Sequence, residues 1–405
     1  MSEMGLIVQK YGGTSVKDAE RVMNVARRIT AAYQAGNNVV VAVSAQGDTT
    51  DELIEKANEI NPRASKREMD MLLSTGEQIS IALLAMAIEK LGYPVISLTG
   101  WQAGMHTNSN YGAARIKTID TERIRMELDR RRIVIVAGFQ GINKYDDITT
   151  LGRGGSDTSA VALAAALRAD VCEIYTDVDG VYTTDPRICS KAYKLDEISY
   201  DEMLELASLG ANVLHNRSVE MAKKYNVKLS VRSSLNNNEG TYVKEVSKVE
   251  KMLVRGVTRD NDCARIALCG VEDAPGKAFQ VFEMIAKAGI SVDLIIQSIG
   301  DGQTKDISFT VAEADLEPAL KLLEENNDFI KAREIKSSKD VSKVSIVGAG
   351  MVNNSGVAAK MFEALYDAHI NIKMIATSEI KISVLVAQKD AENAVNAIHD
   401  KFLSK

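Results

Sequence analysis

Thr149-Thr150-Leu151-Gly152-Arg153-Gly154-Gly155-Ser156-Asp157-Thr158-Ser159-Ala160 is the stretch that decides how this chain folds. It follows an apolar, β-branched run, Ile133 to Ala137, and opens an alanine-rich run, Val161 to Leu167. Strand, glycine turn and helix follow one another here, as they do in open α/β sheets. A glycine turn before a helix leaves unpaired N–H groups at the positive end of the helix dipole, which suits an anion. Arg153 adds a planar fork that fits a carboxylate or a phosphate. Taken alone, the loop fits an ordinary surface turn with a Ser or Asp helix cap equally well.

Upstream, Leu6 to Val16 reads as a buried strand that enters a glycine turn, with helical spacing from Ala19 to Ala32. Lys10 then stands at the carboxyl end of the first strand, beside N–H groups freed by Gly12 and Gly13. Open α/β sheets bind ligands in that crevice. The loop is not a Walker motif, since GxxxxGK[ST] occurs nowhere in the chain. Val39 to Val43 is a second strand, closed by a polar turn from Ser44 to Thr50. Ser65 to Leu91 has the pattern of a long helix broken or kinked near Ser74-Thr75-Gly76, with Glu77 just after the glycine. Val95 to Leu98 and Val171 to Tyr175 are further strands, Trp101 to Tyr111 reads as loop, and Asp201 to Tyr225 as helix. At least four strands end in polar, glycine-rich turns, which such a sheet gathers along its carboxyl edge.

Composition narrows the function. At 405 residues the chain is too long for one ordinary core, so two or three domains are expected. A formal charge of −6 argues against a broad nucleic-acid footprint. Cys172, Cys189, Cys263 and Cys269 show no metal-like clustering and lie in or near apolar runs, which points to reduced thiols and a cytoplasmic location. His106, His215, His369 and His399 are scattered. No signal peptide and no membrane-length apolar segment are expected.

The second half contains a repeat. Ile266-Ala267-Leu268-Cys269-Gly270, Pro275-Gly276, Phe282-Glu283 and Ile290-Ser291-Val292-Asp293 recur 80 positions later as Ile346-Val347-Gly348-Ala349-Gly350, Ser355-Gly356, Phe362-Glu363 and Ile370-Asn371-Ile372-Lys373. Each copy reads as strand, glycine turn, helix and two strands, followed by a helix. This is a βαββαβ ferredoxin-like unit used twice.

Four motifs now stand in order: Lys10-Tyr11-Gly12-Gly13-Thr14-Ser15, Ser74-Thr75-Gly76-Glu77, Gly152 to Asp157, and Thr176-Asp177-Val178-Asp179-Gly180-Val181-Tyr182-Thr183-Thr184-Asp185-Pro186-Arg187. Together with the repeat they resemble aspartokinase over nearly the whole chain. The resemblance implies an α/β amino-acid-kinase-type α/β/α sandwich with a mostly parallel sheet, followed by two ferredoxin-like ACT domains. It also implies transfer of the ATP γ-phosphoryl group to the β-carboxylate of L-aspartate, with Mg2+, at the first step toward lysine, threonine and methionine. The expected domains are a catalytic domain at 1–245, a linker at 246–262, and ACT domains at 263–338 and 339–405, with terminal strands open to exchange between the two ACT units.

By the same resemblance Lys10 and Asp157 are catalytic, with Lys10 against the transferring phosphoryl group. Arg153 grips the α-carboxylate of aspartate and Glu77 its ammonium, with Ser44, Thr50, Gly154, Gly155 and Ser156 on the substrate side. Lys10, Gly12, Gly13, Thr176, Asp177, Tyr182 and Arg187 hold the nucleotide. Asp273, Gly276, Ala278, Gln297, Asn371, Ile372 and Ser378 resemble contacts to an effector amino acid, lysine or threonine. A homodimer or homotetramer through the ACT domains is expected, with no nucleic-acid or membrane partner. The chain departs from the family at Asn212, where a lysine is frequent. The competing readings are a glutamate-type kinase of the same fold and an amino-acid sensor without turnover.

Overall fold

The computed structural model describes residues 5–210, 213–245, 253–299 and 304–404. The chain divides into two units, Met1–Val181 with Lys194–Ala207 and Asn212–Ser247, and Tyr182–Tyr193 with Ser208–Ala211 and Lys248–Lys405. The sequence-based boundary at 245 differs from this division, because 182–193 and 208–210 pack with the C-terminal residues.

Up to residue 245 the elements are β1 (Leu6–Tyr11), α1 (Ala19–Gln34), β2 (Asn38–Val43), α2 (Thr49–Ile60), α3 (Lys66–Lys90), β3 (Val95–Leu98), β4 (Met105–Thr107), β5 (Ile116–Ile119), α4 (Glu122–Asp129), β6 (Ile133–Ala137), β7 (Gln140–Ile142), β8 (Ile148–Thr150), α5 (Gly155–Leu167), β9 (Val171–Thr176), β10 (Glu197–Ile198), α6 (Tyr200–Ser208), α7 (Asn216–Tyr225), β11 (Leu229–Ser233) and β12 (Thr241–Val243). The main sheet has the order β10-β12-β11-β9-β1-β2-β6-β3 and is parallel except at the β11–β12 pairing. Val39 to Val43 of β2 and all of β6 read as unbroken apolar runs because helices cover both faces. On one face Val22, Val25 and Ile29 of α1 and Ile81, Leu84 and Ile88 of α3 meet Tyr11, Val39, Val41, Val43 and Ile135. On the other lies α5, whose alanines from Ala160 to Ala164 are buried. This is the expected α/β/α sandwich with a mostly parallel sheet.

Four local expectations are corrected. The α3 helix is unbroken through Gly76. That glycine serves a close approach instead, since a Cβ there would lie 2.8 Å from the Ala45 Cβ. By length and composition α3 is also apolar enough to cross a membrane, contrary to the sequence reading. However, half of that stretch is buried within the protein, and it carries buried Asp70, Ser74, Glu77 and Ser80. The loop expected from Trp101 to Tyr111 contains β4, part of a small sheet ordered β5-β4-β7-β8. Finally, the helix expected from Asp201 to Tyr225 is two helices, α6 and α7.

The second unit continues with β13 (Gly256–Asp260), β14 (Ala264–Glu272), α8 (Lys277–Lys287), β15 (Ile295–Ile299), β16 (Thr304–Val311), α9 (Leu316–Glu325), α10 (Asn327–Ile330), β17 (Glu334–Ser338), β18 (Val341–Val347), α11 (Val357–Asp367), β19 (Met374–Thr377), β20 (Lys381–Ala387) and α12 (Ala391–Leu403). One sheet is ordered β15-β16-β14-β17 and packs on α8 and α9. The other is ordered β13-β18-β20-β19 and packs on α11 and α12. The second repeat supplies no fourth strand of its own among the described residues. β13 fills the place, pairing antiparallel with β18 from Gly256↔Val347 to Asp260↔Lys343. The expected linker at 246–262 therefore contains a strand, and residues that precede the first ferredoxin-like fold complete the second.

Lys343 joins the two folds. Its buried ammonium pairs with Asp293, just before β15, and with Asp260 at 3.1 Å. Burial works to lower its pKa, but the Asp293 and Asp260 carboxylates outweigh this and raise it above the ordinary lysine range. Beside it Leu294, Ile296, Met374, Ala376 and Leu385 form one apolar cluster across both sheets. Replacing Lys343 with methionine leaves two carboxylates facing each other without a cation. We expect a loss of about 2 kcal/mol from charge-assisted bonds between partly exposed partners. A lowered midpoint in denaturant unfolding of the full chain checks this.

Candidate functional site

The strand order β9-β1-β2-β6 sets the carboxyl ends of four parallel strands side by side. The register matches Tyr11 with Val43 and Tyr175, and Val43 with Ala137. Six of the expected positions follow from that alignment. Lys10 and the turn Gly12-Gly13 end β1, Ser44 follows β2, and Thr176 ends β9 with Asp177 next to it.

Alternation along β1 sends Lys10 to the α5 face and Gln9 and Tyr11 to the other. Lys10 Nζ lies 2.6 Å from Asp157 Oδ1 in the first turn of α5, and both side chains are largely buried. On the opposite face, Gln9 Nε2 donates to Glu173 at 2.8 Å, Arg232 pairs with Glu173 at 3.0 Å, and Tyr11 stacks on Tyr175 at 4.7 Å. That network stiffens the strand that carries Lys10. The Gly12-Gly13 turn packs on the turn after β2, with Gly47 N donating to Gly13 O at 3.1 Å. A Cβ on Gly13 would fall 2.6 Å from the Ala45 carbonyl, so the close approach requires glycine.

Glu77 reaches this turn from α3. Its Oε1 accepts from Ala45 N at 3.0 Å, while the buried Oε2 has no hydrogen-bond partner among the described residues. Burial raises its pKa from 4.5 to about 7, against the lowering effect of the Ala45 N–H. Thr50 lies in the first turn of α2, at the far end of the turn that Ser44 opens. Ser156, in the first turn of α5, packs against Gly138 at the end of β6, where a Cβ would meet its Oγ at 2.9 Å. Ser159 Oγ accepts from Phe139 N at 3.0 Å, which seats α5 on that strand end.

Gly152 and Gly154 are both left-handed, with φ of 76° and 70°, and they flank Arg153. The arginine is exposed, and among the described residues it makes no hydrogen bond or ion pair. Gly155 packs beneath it, with Phe139 Cδ2 2.7 Å from where its Cβ would sit. Lys10, Gly12, Gly13, Ser44, Glu77, Ser156 and Asp157 are thus linked through the contacts of adjoining strand ends, with Arg153 on the loop that enters α5.

Tyr182 and Arg187 belong to the second unit, where Arg187 Nη2 lies 2.8 Å from Asp185. Asn212 lies outside the described residues. Of the effector positions, Gly276 caps α8 with φ of 91°, and Ala278 is in its first turn. Asp273 pairs with Lys305 at 2.7 Å. Gln297 is exposed on the edge strand β15. Asn371 and Ile372 precede β19, and Ser378 follows it, donating its N–H to Lys381 O at 2.9 Å.

Sequence reading missed three residues that support this site. Asp70 is fully buried, and His215 and Arg217 open α7 beneath the glycine loop. Asp70 had a visible signal, a carboxylate within the apolar run Met69 to Leu73. Arg217 had none, because its partners are backbone carbonyls far along the chain.

The Glu77 shift has a definite sign. Between pH 4.5 and 7 the folded chain holds a proton that the unfolded chain has lost, so stability falls as pH rises through that window. We expect Glu77→Gln to come close to the wild type near pH 5 and to exceed it by roughly 3 kcal/mol above pH 7, the worth of a move from 4.5 to about 7 at about 1.4 kcal/mol per pH unit. Thermal unfolding at pH 5 and pH 8 reads the difference.

A sequence model described as "Amino acid kinase family" matches residues 5–233, and one described as "ACT domain" matches 266–326 and 344–402. The chain is 53% identical to an aspartokinase of Geobacillus stearothermophilus over 400 residues, 98% of this chain and 97% of that one. It is 52% identical to aspartokinase 2 of Bacillus subtilis over 404 residues, 99% of each. Among solved structures it is similar to E. coli aspartokinase III, in complex with aspartate and ADP and in complex with lysine and aspartate. Identities are 27% and 26%, each with a TM-score of 0.79 over 98% of this chain and 99% of that one. With its sandwich, its paired ferredoxin-like folds and its strand-end lysine and aspartate, the chain belongs to the aspartokinase family.

Proposed function

We propose that this chain transfers the γ-phosphoryl group of ATP to the β-carboxylate of L-aspartate. A β-carboxylate oxygen attacks the γ-phosphorus, the bond to the β-phosphate oxygen breaks, and 4-phospho-L-aspartate and ADP leave. The observation that carries the reading is the Lys10–Asp157 pair at the meeting of β1 and α5. A carboxylate nucleophile is ionised at neutral pH and needs no base. The obstacle is repulsion between an anion and a polyanion, which positioning and charge neutralisation overcome. Lys10 supplies the cation, and Asp157 holds it in place.

Arg153 takes the α-carboxylate and Glu77 the α-ammonium, with Ser44, Thr50, Ser156 and the N–H groups of Gly154 and Gly155 on the same side. Gly12, Gly13, Thr176 and Asp177 serve the nucleotide. For Tyr182 and Arg187 the support is the motif alone. Magnesium would arrive on the ATP phosphates and neutralise their charge, with Asp157 toward its shell. Among the described residues no group of three or more His, Cys, Asp and Glu could hold a metal by itself.

The ACT domains bind an end-product amino acid, lysine or threonine, at the α8 start (Asp273, Gly276, Ala278), at Gln297, and around β19 (Asn371, Ile372, Ser378). The lysine complex of the E. coli relative supports this assignment. Exposed Ile295 and Ile375, on edge strands of the two sheets, support assembly as a dimer or tetramer. The four unbridged cysteines support a cytoplasmic location.

ATP-dependent hydroxamate formation tests the activity. We expect product with L-aspartate, and product with L-glutamate alone would overturn the reading. Arg153→Ala should raise the aspartate KM by about a hundredfold, the worth of a charge-assisted pair at about 1.4 kcal/mol per tenfold, and leave ATP binding intact by calorimetry. Because a bound ammonium favours ionised Glu77, the aspartate KM should fall as pH rises from 6 toward 7 and level off above it. A flat profile would remove Glu77 from the ammonium site.

A further inference from the structure

The loop that carries Arg153 has one backbone bond of its own, Gly155 N donating to Gly152 O at 2.9 Å, and is further held by groups outside it. A segment near Gly112 and the segment from Thr150 to Gly152 lie against each other, joined directly by Ala114 N donating to Thr150 O at 2.8 Å. Two charged side chains from distant helices grip both segments. From α3, the buried Asp70 carboxylate accepts from Gly112 N at 3.0 and 2.9 Å, from Thr150 N at 3.0 Å and from Thr150 Oγ1 at 2.6 Å. From α7, Arg217 donates Nη1 to Leu151 O and Nη2 to Ala114 O, each at 2.8 Å. The carboxylate takes the N–H groups and the guanidinium takes the carbonyls, on the same two pieces of backbone.

The fit leaves little room. A Cβ on Gly152 would stand 3.0 Å from the Gly112 carbonyl, and one on Gly154 would stand 2.2 Å from the His215 ring, two residues before Arg217. The backbone on both sides of Arg153 is therefore placed by groups that do not touch Arg153.

We propose that Asp70 and Arg217 are positioning residues for the amino-acid substrate: they fix the loop so that the Arg153 fork meets the α-carboxylate. This rests on the reading of Arg153 given above. Lysine cannot replace Arg217 fully, because one ammonium cannot span two carbonyls in the fixed geometry of a guanidinium. Asparagine at Asp70 keeps the shape and one acceptor, but presents its amide N–H groups to backbone donors.

The test is steady-state kinetics on the full-length chain with both substrates varied, for Arg217→Met, Arg217→Lys, Asp70→Asn and Arg153→Ala, and for the double variant Arg217→Met/Arg153→Ala. We expect Arg217→Met to raise the aspartate KM about tenfold or more, with kcat and the ATP KM within about threefold, since a misplaced grip weakens the binding of one substrate. Arg217→Lys should recover part of the loss. Because Arg217 acts through Arg153, its effect should largely vanish in the double variant. If Arg217→Met does not fold, Asp70→Asn and Arg217→Lys carry the same split. A purely structural role would lower the melting temperature and the active fraction without changing either KM. That outcome, equal changes in both KM values, or additive effects in the double variant would overturn the clamp. Arg153→Ala without effect on aspartate would overturn the substrate reading and the clamp with it; an effective Arg153→Ala beside silent Arg217 and Asp70 variants would overturn the clamp alone.

Discussion

The structure depends on one charge pair at the end of one strand. A lysine ammonium at the edge of a parallel sheet, largely out of water, is costly unless a carboxylate meets it. Here the carboxylate comes from the first turn of a helix, where the dipole favours negative charge. Lys10 and Asp157 form a close ion pair at 2.6 Å without hydrogen-bond geometry at Asp157 Oδ1, and the pair leaves a cation held at the strand ends. Everything around it serves that placement. The Gln9–Glu173–Arg232 and Tyr11–Tyr175 contacts stiffen the far face of β1, and the buried alanines of α5 let that helix lie close on the sheet.

The motifs were legible in the sequence because the groups they need are local. Gly12-Gly13, Gly152 to Asp157 and Ser74 to Glu77 each combine a turn or helix start with a chemical group within a few residues, so spacing alone suggests the geometry. The parallel sheet followed from the alternation of strands and helices, and the paired ferredoxin-like folds from the repeat. What could not be read were interactions with long loops between the partners. Asp70 meets Thr150 across 80 positions and Arg217 meets Ala114 across 103, and no periodicity marks such pairs. Gly76 was misread as a helix breaker for the same reason. Its role is set by Ala45, on a turn that sequence spacing does not bring near.

The regulatory half shows a related limit. The repeat announces two copies of one fold, yet it does not say who supplies the last edge. In the first copy β17 returns beside β14. In the second, β13 occupies the equivalent edge beside β18. The first fold is therefore enclosed in sequence by the parts of the second, and Lys343 and the Leu294–Met374 cluster bind them together. A fold closed by a strand from its own far end resists separation of its neighbour, since pulling one away strains both attachments.

The same unit also holds the tail of a motif that the sequence reading gave to the nucleotide. Thr183 Oγ1 lies 2.9 Å from Nε2 of buried His399 on α12, Thr183 O accepts from Val257 N of β13, and Lys191 pairs with Asp400 at 2.8 Å. Burial lowers the His399 pKa, which favours the neutral ring. Thr176 and Asp177 end a strand of the first unit, while Tyr182 to Tyr193 are packed into the second. A segment fixed at Thr183 to the helix and strand of the second ferredoxin-like fold must follow any displacement of α12. The motif is thus one covalent segment whose first residues end a strand of the first unit and whose Thr183 is fixed within the second.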